Sequence, residues 1–177
     1  KPPGPGWEEA NRTDELVIFT KDNKAAEVRE IYAVSDMDVE PVKVFQVLFA
    51  LEEYAEFMPY TNESKLSKKI SETEVISYQL ISPPLVSKRD YYIRVKTTKP
   101  SDPAGPYKTE WTAVPEFGPE KPDVVRVKLN NGSWTFEPLD GGKRTRVVYA
   151  LLTHPGGSIP SWIANASNTT AIPDLFK

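Results

Sequence analysis

The sequence predicts an α+β fold, a curved antiparallel sheet gripping a long C-terminal helix. Three observations predict it. From Glu63 to Thr153 the chain runs in short segments of alternating apolar and polar residues divided by turn residues, the pattern of a strand meander. One internal stretch, Glu40 to Pro59, carries an apolar stripe at helical spacing instead. After Gly156-Gly157, residues Trp162, Ile163, Ala166 and Thr170 recur at helical spacing, and a terminal helix with such a face has only the preceding sheet to lie on.

Taken in order, Lys-Pro-Pro-Gly-Pro-Gly at 1–6 reads as a flexible leader, and 7–177 as a single domain. Trp7 to Asp14 is expected to form a short helix anchored by Trp7. Leu16 to Thr20 and Val28 to Val34 read as paired strands around an Asp22-Asn23 turn. Glu40-Pro41 opens a helix with proline at its first position; Val44, Phe45, Leu48, Leu51, Ala55 and Met58 form its stripe, and Pro59 stops it. The meander then runs through polar Lys65–Ser71, Glu74–Ser82, Arg89–Thr98, Tyr107–Val114, Val125–Leu129 and Arg144–Thr153, for a sheet of seven to nine strands. Ile76, Tyr78 and Leu80 share one parity in their strand, with Val75, Ser77, Gln79 and Ile81 on the other. Tyr91, Ile93 and Val95 oppose Tyr92 and Arg94. Val125, Val127 and Leu129 oppose Arg126 and Lys128. Asp140-Gly141-Gly142 marks a hairpin, and Pro160 opens the terminal helix, which Pro173 kinks or ends.

Composition narrows the function classes. The chain has 177 residues, 39% hydrophobic and 27% charged, with a net charge of −3 and no basic block, which argues against a nucleic-acid partner. No apolar run approaches the ~18 residues of a membrane span. The chain has no cysteine, so disulfides, cysteine nucleophiles and thiolate metal sites are excluded. Its first residue is Lys1 rather than Met, as if an export signal had been removed or the chain trimmed. Five Asn-x-Ser/Thr sequons occur, at Asn11, Asn62, Asn131, Asn165 and Asn168, the last two on the terminal helix where a glycan would obstruct packing. The balance points to a bacterial periplasmic or exported protein over a cytoplasmic one; a monomer is expected, though nothing in composition fixes the oligomeric state.

Reactive groups are sparse. His154 is the one histidine, beside a Pro-Gly-Gly turn with no second His or Cys to pair with. No metal-ligand spacing, phosphate loop or Gly-x-Ser-x-Gly elbow occurs, so no metal, cofactor or catalytic residue is expected. Arg89-Asp90 reads as a local ion pair at a strand start, with a headgroup contact as the other reading.

The stretch Gly132-Ser133-Trp134, Glu137-Pro138-Leu139, Gly157 and Ile159-Pro160 resembles the START domain, the lipid-transfer branch of the helix-grip (Bet v 1-like, SRPBCC) superfamily. Lys88-Arg89-Asp90-Tyr91-Tyr92 is similar to the family's Arg-Asp-aromatic strand opening, and Phe45 to Pro59 to its internal helix. The three matches keep the family's order over roughly residues 7 to 177. The resemblance implies a helix-grip fold with an apolar cavity between sheet and terminal helix, and non-catalytic binding and transfer of a lipid or sterol-like small molecule, with transient membrane contact. It places Ile76, Tyr78, Leu80, Tyr91, Ile93, Trp111, Val125 and Val127 on the cavity wall, roofed by Ile163 and Ala166, with Tyr78 and Tyr91 supplying hydroxyls. It makes Lys99–Pro106 a lid, and glycine's backbone freedom makes Gly156-Gly157 a hinge for the terminal helix, with a plain tight turn as the other reading. Arg94 has the parity opposite to Tyr91, so a lumenal arginine of the kind some sterol carriers use is not expected. Two readings stand beside the carrier: a polyketide cyclase or aromatase on the same fold, and a ligand-sensing or structural module acting through its loops.

Overall fold

The computed structural model describes residues 1–157, 172–173 and 175–176. Ten strands among these form one sheet: β1 (Glu8–Arg12), β2 (Leu16–Asn23), β3 (Val28–Met37), β4 (Thr61–Ser71), β5 (Glu74–Ile81), β6 (Arg89–Thr98), β7 (Tyr107–Ala113), β8 (Val125–Arg126), β9 (Leu129–Leu139) and β10 (Arg144–His154). Nine pair antiparallel in the order β1-β2-β3-β10-β9-β7-β6-β5-β4, and β8 runs parallel to β6. The meander expected from Glu63 onward is present, and the β3–β10 ladder joins it to the first three strands. At the β9–β10 hairpin, Asp140, Gly141 and Gly142 all have positive φ, which two glycines allow at low cost.

Several boundaries differ from expectation. Residues 8–12 form a strand, not a helix. Five exposed residues cannot sustain an isolated helix, whereas pairing with β2 satisfies backbone groups at the sheet edge. Trp7 meets Tyr32 edge-on, with ring centroids 5.9 Å apart. The helix expected over 41–58 is interrupted: α1 covers Pro41–Phe49, Ala50 is non-helical (φ −75°, ψ 62°), a 3₁₀ turn covers Leu51–Glu53, and α2 covers Tyr54–Phe57. Carbonyls released near the break find side-chain donors: the Tyr54 hydroxyl donates to Leu48 O and the Ser64 hydroxyl to Leu51 O. The strand expected over Val125–Leu129 is split between β8 and the start of β9. The sheet has ten strands rather than seven to nine, and β1 is the one not expected as a strand.

Most of the terminal helix expected from Pro160, with Ile163 and Ala166, lies outside the described residues. Ile172, Pro173 and Leu175 are helical. Ile172 is buried, and Leu175 and Phe176 pack on the same core.

Two apolar clusters cover one face of the sheet. The first joins β2, β3, α1, β9 and β10 through Ile18, Ile31, Phe45, Phe136 and Val147. The second joins Leu51 and Tyr54 to Val75, Ile93 and Val95. Trp111 touches both.

Candidate functional site

The two clusters do not close on each other. Between them lies a cavity of about 550 Å³, within the usual range for small-molecule pockets. Val95, Ile93 and Tyr91 of β6 line one side, with Gln79 and Ile81 of β5 beside them; Trp134, Tyr149 and Leu151 of β9 and β10 line the other. Leu48, Leu51 and Tyr54 from the broken helix cover part of it, and Ile172 and Leu175 close against it. The interruption at Ala50 therefore turns Leu51 and Tyr54 toward the space instead of continuing α1 past it.

Trp111 sits at the centre because β9 lets it. A Cβ built on Gly132 would stand 2.4 Å from Trp111 Cζ2 and 2.6 Å from Ala150 O, so only glycine admits the indole there. The Trp111 indole N–H donates to Asn130 Oδ1 at 3.0 Å. The Tyr91 hydroxyl donates to Gln79 Oε1, its cross-strand partner. Burial pushes the Tyr54, Tyr91 and Tyr149 phenols well above their ordinary range, so all three stay neutral donors.

The one charged side chain in the described wall is Arg89, which is 3% exposed. Its Nε donates to Pro155 O at 3.1 Å, Nη2 to Gly156 O at 3.4 Å, and Nη1 to Ser87 O. Burial pulls its pKa below the usual guanidinium value. Arg89 thus ties residues 82–88 to the turn after β10 and forms no ion pair with Asp90.

Asp90 points through the sheet to the opposite face. There Arg126 grips it with Nε at 2.8 Å and Nη2 at 3.2 Å, both side chains being almost fully buried. Arg126 also donates to Pro115, Gly118 and Pro119 carbonyls, lies 5.0 Å over the Tyr92 ring, and so lashes the 115–119 loop to the outer face. The Asp90 carboxylate raises the Arg126 pKa further. The Tyr78 hydroxyl donates to Asp90 Oδ2 at 3.0 Å.

This geometry sorts the residues expected on the wall. Tyr91, Ile93, Trp111 and Val127 line the cavity. Ile76, Tyr78 and Leu80 do not: in the β5–β6 register Tyr78 faces Tyr92 and Gln79 faces Tyr91, so the other parity of β5 points inward. Val125 is also off the wall, packed against Gly156 and Gly157. Both glycines hold positive φ, 71° and 69°. No residue of 99–106 lines the cavity; Pro83, Pro84, Leu85 and Val86 of the β5–β6 loop do. Arg94 points outward to Glu74, as its parity requires. His154 Nδ1 accepts from the Gly156 N–H at 3.0 Å, a turn contact. Gln79, Asn130, Tyr149 and the 83–86 segment were not picked out in the sequence. The Pro83-Pro84 pair marked a turn there, and Gln79 was visible only as a polar residue in an apolar run.

The START domain sequence profile matches residues 4–177. An uncharacterized protein of Pseudomonas aeruginosa, PA1579, is 28% identical over 161 residues, covering 90% of this chain and 78% of its own. The mouse phosphatidylcholine transfer protein is 31% identical over 141 residues, 77% of this chain and 64% of its own. A solved fragment of the STAR-related lipid transfer protein from Xanthomonas axonopodis superposes with a TM-score of 0.85 at 27% identity, covering 97% of this chain and 94% of that one. Motifs, sheet order, cavity and family match agree: the chain belongs to the START domain family.

Proposed function

We propose that this protein binds one lipid in the cavity between its sheet and its helices and carries it without transforming it. The single observation that carries this reading is the cavity itself, about 550 Å³ with a wall of aliphatic and aromatic side chains. Each methylene moved from water into such a space contributes about 0.8 kcal/mol, so an acyl chain alone supplies ample affinity. Among the described residues the wall holds no carboxylate, lysine or histidine to serve as a general base, which favours carriage over cyclase chemistry. The mouse relative is a phosphatidylcholine transfer protein by name, which supports lipid carriage as a class.

Exchange requires a mouth. Leu85 is fully exposed, and Phe49 and Tyr60 are partly exposed at the same rim. These side chains are suited to touching a bilayer while the 82–88 loop parts from the Gly156-Gly157 turn. Arg89 is the latch between them. The test is native mass spectrometry after mild purification, followed by organic extraction and vesicle-to-vesicle transfer of a fluorescent lipid. A one-to-one lipid adduct and protein-dependent transfer are expected. Protein that neither retains a lipid nor accepts one from vesicles would end the carrier reading.

A further inference from the structure

The two arginines buried in the sheet differ in one respect. Arg126 is 6% exposed and faces the Asp90 carboxylate on the outer side. Arg89 is 3% exposed, lines the cavity, and meets only carbonyl oxygens among the described residues. Residues 158–171 contain no acidic side chain, so Asp174 is the one acid outside the described residues. Hydrogen bonds to Asp90 raise the Arg126 pKa, whereas burial lowers that of Arg89 with no neighbouring charge to offset it.

A guanidinium carries five N–H donors. Arg89 gives one from each nitrogen to Pro155 O, Ser87 O and Gly156 O, which leaves one N–H on each terminal nitrogen without a partner among the described residues. Carbonyl dipoles offset part of the positive charge but do not neutralise it. Buried charges in proteins are paired, so an unpaired cation on the wall of an apolar cavity is a site for an anion. Two donors on one planar fork suit the two oxygens of a carboxylate or phosphate. A cationic group finds no acidic side chain in the described wall.

The same carbonyls fix where the charge stands. Ser87 belongs to the 82–88 loop and Pro155 and Gly156 to the turn after β10, so the guanidinium sits at the mouth beside the exposed Leu85. Ile93 and Val95 lie further along β6, roughly 13 and 20 Å from Arg89 at about 3.3 Å per residue, and both line the cavity.

We propose that the cavity takes a net-anionic lipid, its carboxylate or phosphate held by Arg89 at the mouth and its acyl chain lying along β6 past Ile93 and Val95. The anion uses the two remaining N–H groups, so the tie to Ser87, Pro155 and Gly156 stays in place. This rests on the carrier reading, and the test separates the two. The protein is incubated above neutral pH with phosphatidylcholine vesicles doped with equal amounts of oleic acid and oleyl alcohol, or of dioleoylphosphatidic acid and dioleoylglycerol. It is then re-isolated and extracted, and its lipids are quantified. The anionic member of at least one pair should be enriched at least about tenfold over its uncharged partner. Enrichment in the first pair marks a carboxylate site, and in the second a phosphate site. Arg89→Gln should bring the ratio close to one, and Arg89→Lys, which restores the charge without the fork, should fall between. Because the ratio compares two lipids in one sample, general damage to the cavity does not move it. Parity in both pairs for the parent protein, retention of phosphatidylcholine over both anions, or an unchanged preference in Arg89→Gln overturns the anion site and leaves the carrier standing. Failure of every lipid to enter the parent protein removes the carrier reading and this one with it.

Discussion

Replacing Arg126 with methionine tests the outer-face network most directly. Asp90 is completely buried, and its carboxylate is held by two Arg126 nitrogens and the Tyr78 hydroxyl. In Arg126→Met the carboxylate keeps only the phenol, and the carbonyls of Pro115, Gly118 and Pro119 lose their donor. Removing one partner of a buried ion pair costs about 3–5 kcal/mol, because the other charge stays behind uncompensated. The carbonyls add less, since a loop that lifts away can bond to water. Against a typical stability of about 5–15 kcal/mol, Arg126→Met should be folded but markedly weakened. Urea unfolding followed by tryptophan fluorescence measures this. A cycle with Asp90→Leu should recover part of the loss in the double variant, because two apolar side chains no longer strand a charge. Lipid content per folded molecule should not change, since the pair lies on the face away from the cavity. A loss below about 1 kcal/mol for Arg126→Met, or equal losses that simply add in the double variant, would refute the account.

Four further outcomes are expected. Gly132→Ala places a methyl 2.4 Å from Trp111 and should cost about 1–3 kcal/mol, seen as a lowered melting temperature with a shift in tryptophan emission. Ile93→Trp projects an indole into the cavity and should reduce bound lipid, read by extraction, with little loss of stability because it fills space. Arg89→Leu unties Ser87 from Pro155 and Gly156 and should speed lipid exchange from loaded protein, measured by fluorescent-lipid release; an unchanged rate would dismiss the latch. Burial raises the phenol pKa values of Tyr54, Tyr91 and Tyr149 above the unfolded value near 10, so the contribution is intact below pH 10 and is lost as pH rises. Each should cost about 1.4 kcal/mol of stability per pH unit above 10, measured as steep alkaline unfolding.

The sheet was largely legible because its signals are local. Alternation, the Asp140-Gly141-Gly142 turn and the Gly132-x-Trp134 spacing each report on a few neighbouring residues, and β6, β7, β9 and β10 fall close to where they were expected. The Ala50 break was not legible. The apolar stripe continues from Leu48 to Leu51 and Ala55 with no proline or glycine between, and the interruption is held instead by Tyr54 and by Ser64, which lies on β4. Residues 8–12 failed for a related reason, since their strand exists through β2 and not through any periodicity of their own.

The parity of β5 is the instructive failure, because it decided half of the expected wall. Alternation identifies two faces but says which is inner only if one of them is solvated. On β5 neither is: Val75, Ser77 and Gln79 are buried on one side, Ile76 and Tyr78 on the other. The outer face is covered by something the local sequence does not announce, a proline-rich loop drawn down by Arg126 onto Asp90 and Tyr92. Once that loop is in place, an apolar Tyr78 belongs outside, and a polar Gln79 becomes affordable inside because Tyr91 accompanies it across the ladder. The residue that apolar alternation gives least reason to choose is thus one that lines the cavity. On β5 apolar content alone therefore cannot choose the inner face, and the cross-strand partners Gln79 and Tyr91 do.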